Sequence, residues 1–273
     1  MNAEWLVKEY LSNVKGWLLD QLPDPLLEEN RAFLNCHQGE RCFILGSGPS
    51  IKEQDMKLLA GQIVMTQNHF HAHEDIKTIN PKYHVNVPKY QPKEYDNDWR
   101  DWLRSMDERL PAETTLFFGK NTRYLVDEMG LFQGRVHYIE KGGGLALRRR
   151  APVGLTKRIM PVPTVLTECL AIAIYMGFSE IVLVGFDLDQ VCRMNDRSQL
   201  RFYGLSPITA NKAEQKADDD SVVTGYEWFN MWIIWKQLIL LKDSADRSGI
   251  RIINATRGGL LNMFPREDYE DLV

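Results

Sequence analysis

The sequence predicts an α/β protein built on one open, mostly parallel sheet with helices on both faces. Three observations lead there. Short apolar runs alternate with longer segments of helical period along most of the chain. One run, Cys42-Phe43-Ile44-Leu45, meets Gly46-Ser47-Gly48-Pro49-Ser50 without a spacer, as a buried strand entering a tight turn does. A mostly apolar helical segment, 164–176, is followed after Gly177 by a second apolar strand at 180–184. Strands alternating with helices in this way give a Rossmann-like sheet. The chain reads as an N-terminal helical extension over 1–40 and a single Rossmann-like domain over 41–273, with a lid at about 190–220. No internal repeat or linker divides it.

Each element follows from the residues. In 4–20, Leu6, Tyr10, Leu11, Val14, Trp17 and Leu18 recur at helical spacing. This amphipathic helix packs on the core or on another subunit, with peripheral membrane docking as the alternative. Pro23 and Pro25 end it, and a second helical piece covers 26–35. After the glycine turn, Ser50 is placed to cap a helix over 51–60. Strand two, 62–66, runs into Gln67-Asn68-His69-Phe70-His71-Ala72-His73. The alternating histidines invite a metal reading, but no downstream His or Cys cluster completes a ligand set. Asn68, just past the strand, is the functional candidate.

Strand three is 83–87, and 93–110 is a helix over the sheet through Trp99, Trp102, Leu103 and Met106. Short strands follow at 114–118 and 136–139. Lys141-Gly142-Gly143-Gly144 is a flexible loop leading to Arg148-Arg149-Arg150, a solvated run or a contact for a phosphate or an acidic acceptor. The strand at 180–184 ends in Gly185-Phe186-Asp187-Leu188-Asp189, which sets two carboxylates just beyond it. Ligands of open α/β sheets sit outside the carboxyl ends of the strands, so Asp187 and Asp189 are site candidates. Segment 190–220 is long and polar, and its aromatic and hydroxyl content, Tyr203, Ser206 and Thr209 beside Arg201, argues for an ordered lid. A helix over 226–241 carries Trp228, Trp232 and Trp235, mostly on a core face, and 250–253 is the last strand.

Composition narrows the function classes. Of 273 residues, 44% are hydrophobic and 26% charged, as in ordinary globular proteins. A net charge of -4 argues against a nucleic-acid partner held by bulk charge. The cysteines Cys36, Cys42, Cys169 and Cys192 show no paired spacing, so a reducing cytoplasm fits better than a disulfide framework. Glu4, Lys8, Glu9 and Lys15 interrupt the first apolar stretch, which is therefore not a signal peptide. No window reaches the roughly 18 apolar residues of a membrane span. The expectation is a cytoplasmic protein, at most membrane-peripheral.

The 46–50 turn carries the functional signal. Its glycines allow backbone N–H groups to approach a ligand closely, and the helix expected after it favours anions such as phosphate at its start. Pro49 suits a first helical position. The turn is neither a P-loop, which needs Gly-Lys-Ser/Thr, nor a complete dinucleotide fingerprint, which needs a third glycine.

Segment 44–55, ILGSGPSIKEQD, resembles the opening motif of the bacterial family-42 sialyltransferases. Segment 171–189, AIAIYMGFSEIVLVGFDLD, is similar to their helix–strand segment. The same two stretches resemble the motility-accessory-factor glycosyltransferases and the 6-hydroxymethylpterin diphosphokinase-like proteins. The likeness spans roughly 41–265 and is strong only in those two segments. It implies a GT-A-like variant of the fold and a glycosyltransferase that uses a nucleotide-activated sugar, with a CMP-nonulosonate as one candidate donor. A glycan acceptor in surface polysaccharide or glycoconjugate synthesis is implied with it.

The resemblance assigns Gly46, Ser47, Gly48, Pro49, Ser50, Asn68, Asn86 and Thr164 to the donor nucleotide. Ser47 stands where the family has Asn, and only Thr164 remains of its Arg-x-Thr-Ser-Gly motif. The family's general-base histidine has no counterpart, since no histidine follows His137. Asp187, Asp189 and Glu168 are the candidates for the acceptor hydroxyl proton, and Tyr203 or Tyr226 for the leaving phosphate. No cofactor is required in this reading. Two alternatives remain open. One is pyrophosphokinase-like transfer from ATP, with Mg²⁺ held by Asp187 and Asp189; the other is a non-catalytic nucleotide-binding protein of a polysaccharide assembly.

Overall fold

The computed structural model describes residues 3–86, 88, 89, 91–142, 151–159, 164–193, 201–203 and 220–273. Among them, seven strands form one sheet: β1 (Arg41–Leu45), β2 (Val64–Gln67), β3 (Tyr83–Asn86), β4 (Thr115–Gly119), β5 (Val136–Ile139), β6 (Glu180–Val184) and β7 (Arg251–Asn254). All pairings are parallel, in the order β5-β4-β3-β2-β1-β6-β7. The helices are α1 (Ala3–Leu19), α2 (Pro25–Glu28), α3 (Ile76–Ile79), α4 (Asp96–Arg109), α5 (Arg123–Met129), α6 (Val165–Met176) and α7 (Asp220–Arg247). The expected fold class is the observed one: an open parallel Rossmann-like sheet covered on both faces.

Alternation along the strands sends side chains to two cores. Phe43 and Leu45 point to one face, with Val64, Trp99 and Leu103, and α4 lies there. Cys42 and Ile44 point to the other, with Leu166, Leu170 and Leu238, under α6 and α7. Burying each large apolar side chain contributes roughly 1.5–3 kcal/mol relative to exposure. Every residue of α6 is buried, as a helix apolar on all sides must be. Thr164 caps its start by accepting from Leu166 N, and Gly177 ends it in the left-handed region at φ 79°. Segment 30–37 belongs to the same core. Asn35 N and His37 N donate to the last carbonyls of α6, and Asn30 Nδ2 donates to Tyr138 O and Leu155 O.

Several expectations are corrected. Segment 51–60 is not an α-helix but two short 3-10 turns, Pro49–Glu53 and Met56–Leu59. Gln54 between them is extended, and Asp55 starts the second turn by accepting from Lys57 N. Ser50 caps nothing, because its hydroxyl is committed to Asp187. A helix N-terminus therefore does not explain anion affinity here. The helix α5 was not expected, since seven residues give almost no periodic signal.

The aromatic residues of α7 are not all core. Trp228 and Trp232 are exposed, and the buried face carries Ile234, Leu238 and Leu241. Nor does the apolar stripe of α1 pack on the core: Val7, Tyr10, Leu11 and Leu18 are exposed. Cys42 and Cys169 are buried free thiols, while Cys36 and Cys192 are exposed free thiols. Among the described residues no helix is long and apolar enough to cross a membrane.

Candidate functional site

The sheet order places β2 on one side of β1 and β6 on the other. The chain therefore reverses its winding between β1 and β6, the place where open α/β sheets take ligands. The 46–50 loop and the 185–189 loop meet there. Gly46 N donates to Val184 O at 2.7 Å, and Gly48 N to Gly185 O at 2.9 Å. A Cβ on Gly46 would overlap the Gly185 carbonyl, and one on Gly48 would overlap the Asp187 carboxylate. Gly48 has φ -64° and ψ 157°, open to any residue, so space and not dihedral freedom demands glycine. The sequence reading gave these glycines to a ligand. In the structure they seat one loop against another, and the Gly46 and Gly48 N–H groups point into the protein.

Asp187 is the hub of this contact. Ser50 Oγ donates to its Oδ2 at 2.9 Å, and Leu260 N donates to its carbonyl at 2.7 Å. Thr256, just past β7, accepts from Phe186 N at 3.0 Å. The loops after β1, β6 and β7 are thus fastened through neighbouring residues. Burial raises the proton affinity of the Asp187 carboxyl; the Ser50 hydroxyl opposes this and the negative charge of Asp189 adds to it. Asp189 is paired with Arg193 at 2.6 Å. Both carboxylates are engaged within the protein. Among the described residues no group of three or more His, Cys, Asp or Glu converges on a metal position.

The neighbouring strand ends supply amides and aromatics. Asn68 adopts the left-handed region at φ 48°, which Asn tolerates best after glycine, and its carbonyl accepts from His71 Nδ1 at 3.0 Å. Asn86, at the carboxyl end of β3, is fully buried, and neither atom of its amide has a hydrogen-bond partner. The histidines sit in an aromatic stack. The His69 ring lies between Trp102 and Tyr203, with centroids 4.6 and 4.7 Å away. Burial holds His69 and His71 neutral, with pKa values lowered to about 3 and about 4. Phe202 N donates to Ser47 O at 3.1 Å, so the described part of segment 190–220 rests on the glycine loop.

Thr164 spends its hydroxyl on the α6 cap. Glu168, one turn further, is fully buried and ion-paired with Lys141. Burial raises the Glu168 carboxyl and Lys141 opposes the shift. The Tyr226 side chain, Ser206, Thr209 and Arg148-Arg149-Arg150 lie outside the described residues. The structure thus gathers the 46–50 loop, Asn68, Asn86, Asp187, Asp189 and Tyr203 at the carboxyl edge, and sets Glu168 inside the protein. Sequence reasoning missed the Lys141–Glu168 pair and the Phe202–Ser47 contact. Lys141 had one signal, its position just ahead of a glycine run at a strand end.

No family model and no curated protein matches the sequence. Among solved structures, the chain is similar to the sialyltransferase CstII from Campylobacter jejuni in complex with cytidine-5'-monophosphate. That match has 15% identity and a TM-score of 0.43, covering 84% of this chain and 85% of the other. The same enzyme with CMP-3FNeuAc gives 17% identity and a TM-score of 0.41, over 83% and 84%. A prephenate dehydrogenase from A. aeolicus gives 11% identity and a TM-score of 0.24, over 77% and 85%.

Proposed function

We propose that the crevice at the β1/β6 switch point binds a nucleotide-activated sugar and that the protein is a glycosyltransferase. The observation that carries this is Asn86. A buried amide with both atoms unpaired costs on the order of 1–3 kcal/mol per lost hydrogen bond. Such a group calls for a partner beyond the chain's own side chains, and a ligand is one that can supply it. Asn86 stands at the same sheet edge as Asn68 and the 46–50 loop, where α/β sheets take nucleotides. The sequence likeness of segments 44–55 and 171–189 to the family-42 sialyltransferases supports the same reading and points to a CMP-activated nonulosonate as the first donor to try.

In this reading Asn86 and Asn68 meet the base or ribose, and the 46–50 loop and Tyr203 lie toward the phosphate and sugar. Asp187 is the carboxylate whose raised proton affinity suits it to take a hydroxyl proton. Ser50 holds it in place. The acceptor is a glycan of surface polysaccharide or glycoconjugate synthesis. The test is release of free nucleotide from CMP-, UDP- and GDP-sugars, with and without glycan acceptors. Turnover of one donor, lost in Asp187→Ala, is expected. No release from any donor by folded protein overturns the reading.

A further inference from the structure

Two helices of this chain carry apolar stripes that are exposed. On α1, Val7, Tyr10, Leu11, Val14 and Leu18 recur at helical spacing and are 37–59% exposed. Among the described residues no element makes extensive contact with α1. A helix of 17 residues is marginal in water unless its apolar face is buried.

On α7, Trp228, Trp232 and Ile239 form a second line, 46–59% exposed, with Phe229 stacked on Trp232. The opposite face of α7 already serves the core through Ile234, Leu238 and Leu241. A helix apolar on two faces calls for two partners, and among the described residues the core is one.

We propose that these two stripes form one interface with a second copy of this chain, α1 of each copy lying along α7 of its partner. The lengths match. Val7 to Leu18 and Trp228 to Ile239 each span eleven residue steps, roughly 16 Å of helix. The surfaces are complementary in kind, aliphatic residues and Tyr10 facing flat aromatic rings. The reciprocal arrangement covers both stripes of both copies and closes with two-fold symmetry. Together the stripes expose on the order of 1,000 Å² per chain, against roughly 800 Å² per partner for a stable interface.

Charge disfavours a lipid surface as the occupant. α1 carries Glu4, Glu9, Lys8 and Lys15, which cancel, and the chain has net charge -4, so an anionic leaflet gains little.

The test uses the full chain and two charged variants, Leu11→Lys with Leu18→Lys, and Trp232→Glu with Ile239→Glu. Light scattering after size exclusion is expected to give twice the protomer mass for wild type and the single mass for each variant, with unchanged circular dichroism. An equimolar mixture of the two variants is expected to regain the doubled mass. One seam is then wild type and the other sets lysine against glutamate.

A wild type that stays monomeric at every concentration overturns the proposal, as does an α1 variant that keeps the doubled mass. A mixture that fails to reassociate overturns the α1-on-α7 pairing. A monomeric wild type that co-sediments with phosphatidylcholine–phosphatidylglycerol vesicles, the α1 variant remaining in solution, overturns it in favour of lipid.

Discussion

Replacing Gly48 by alanine tests the meeting of loops on which the site is built. The new Cβ would overlap Asp187 Oδ2, lie 2.7 Å from its Cγ and 2.8 Å from Gly185 O. Overpacking of this kind costs roughly 1–3 kcal/mol. Displacing the Asp187 carboxylate also breaks its bond from Ser50, and a hydrogen bond to a charged group is worth about 1.5–3 kcal/mol. The two effects overlap, so the expected loss is about 3–4 kcal/mol, or roughly 10 °C in melting temperature for a chain of this size. Asp187→Ala removes the nearer obstruction and leaves only the Gly185 carbonyl. The double variant is therefore expected to be more stable than the sum of the single losses by at least about 1 kcal/mol. Urea unfolding of the four proteins of this cycle gives the coupling. Additivity within about 0.5 kcal/mol, or a Gly48→Ala variant as stable as wild type, would refute the reasoning.

Other consequences follow from the same geometry. His69 and His71 are neutral in the fold, with pKa values lowered by burial to about 3 and about 4, against about 6.5 in the unfolded chain. The unfolded state therefore binds more protons below neutrality, and their contribution, complete above pH 6.5, is lost as pH falls toward 4. His69→Phe keeps the stack between Trp102 and Tyr203 without the titration, so its urea midpoint should fall less than that of wild type between pH 7 and 4.5; parallel curves would contradict this. The Asp187 carboxyl has its proton affinity raised, so ionisation opposes folding and the penalty grows as pH rises through its folded pKa. Asp187→Asn should thus melt higher than wild type at pH 7, with the gap closing below pH 4, while turnover falls at least tenfold. Lys141→Met strands the buried Glu168 carboxylate and should cost about 3–5 kcal/mol. Adding Glu168→Gln should restore at least half of the lost melting temperature, and no restoration would mean that Lys141 acts through other contacts.

The units most directly legible in the sequence are those buried on both sides. β1 with its glycine turn, and α6 with β6, read directly because strands of a covered parallel sheet are unbroken apolar runs and α6 is apolar all round. α4 was legible through Trp99, Trp102, Leu103 and Met106 at helical spacing. What failed depended on partners far away in the chain. The reason for Gly48 is Asp187, and that of Glu168 is Lys141, and no local pattern pairs them. Helical periodicity marked the aromatic line of α7 as apolar but not as uncovered. Segment 51–60 has helix-forming composition, yet extended Gln54 breaks it where its amide Nε2 reaches Ala255 O at 2.9 Å. Asn68 was legible as a position just past a strand, Asn86 only through the family resemblance, and the unpaired state of Asn86 needed the structure.

Titration calorimetry of wild type and Asn86→Leu with CMP, UDP, GDP and ATP addresses the central claim directly. Without ligand, Asn86→Leu removes an unpaired buried amide and should be as stable as wild type or more so. If the crevice takes a nucleotide through that amide, wild type binds at least one of the four, and Asn86→Leu weakens that binding by about 1–3 kcal/mol, roughly five- to 150-fold. Absence of binding to all four, or equal affinity in the two proteins, would contradict the assignment of the β1/β6 crevice to a nucleotide-activated donor.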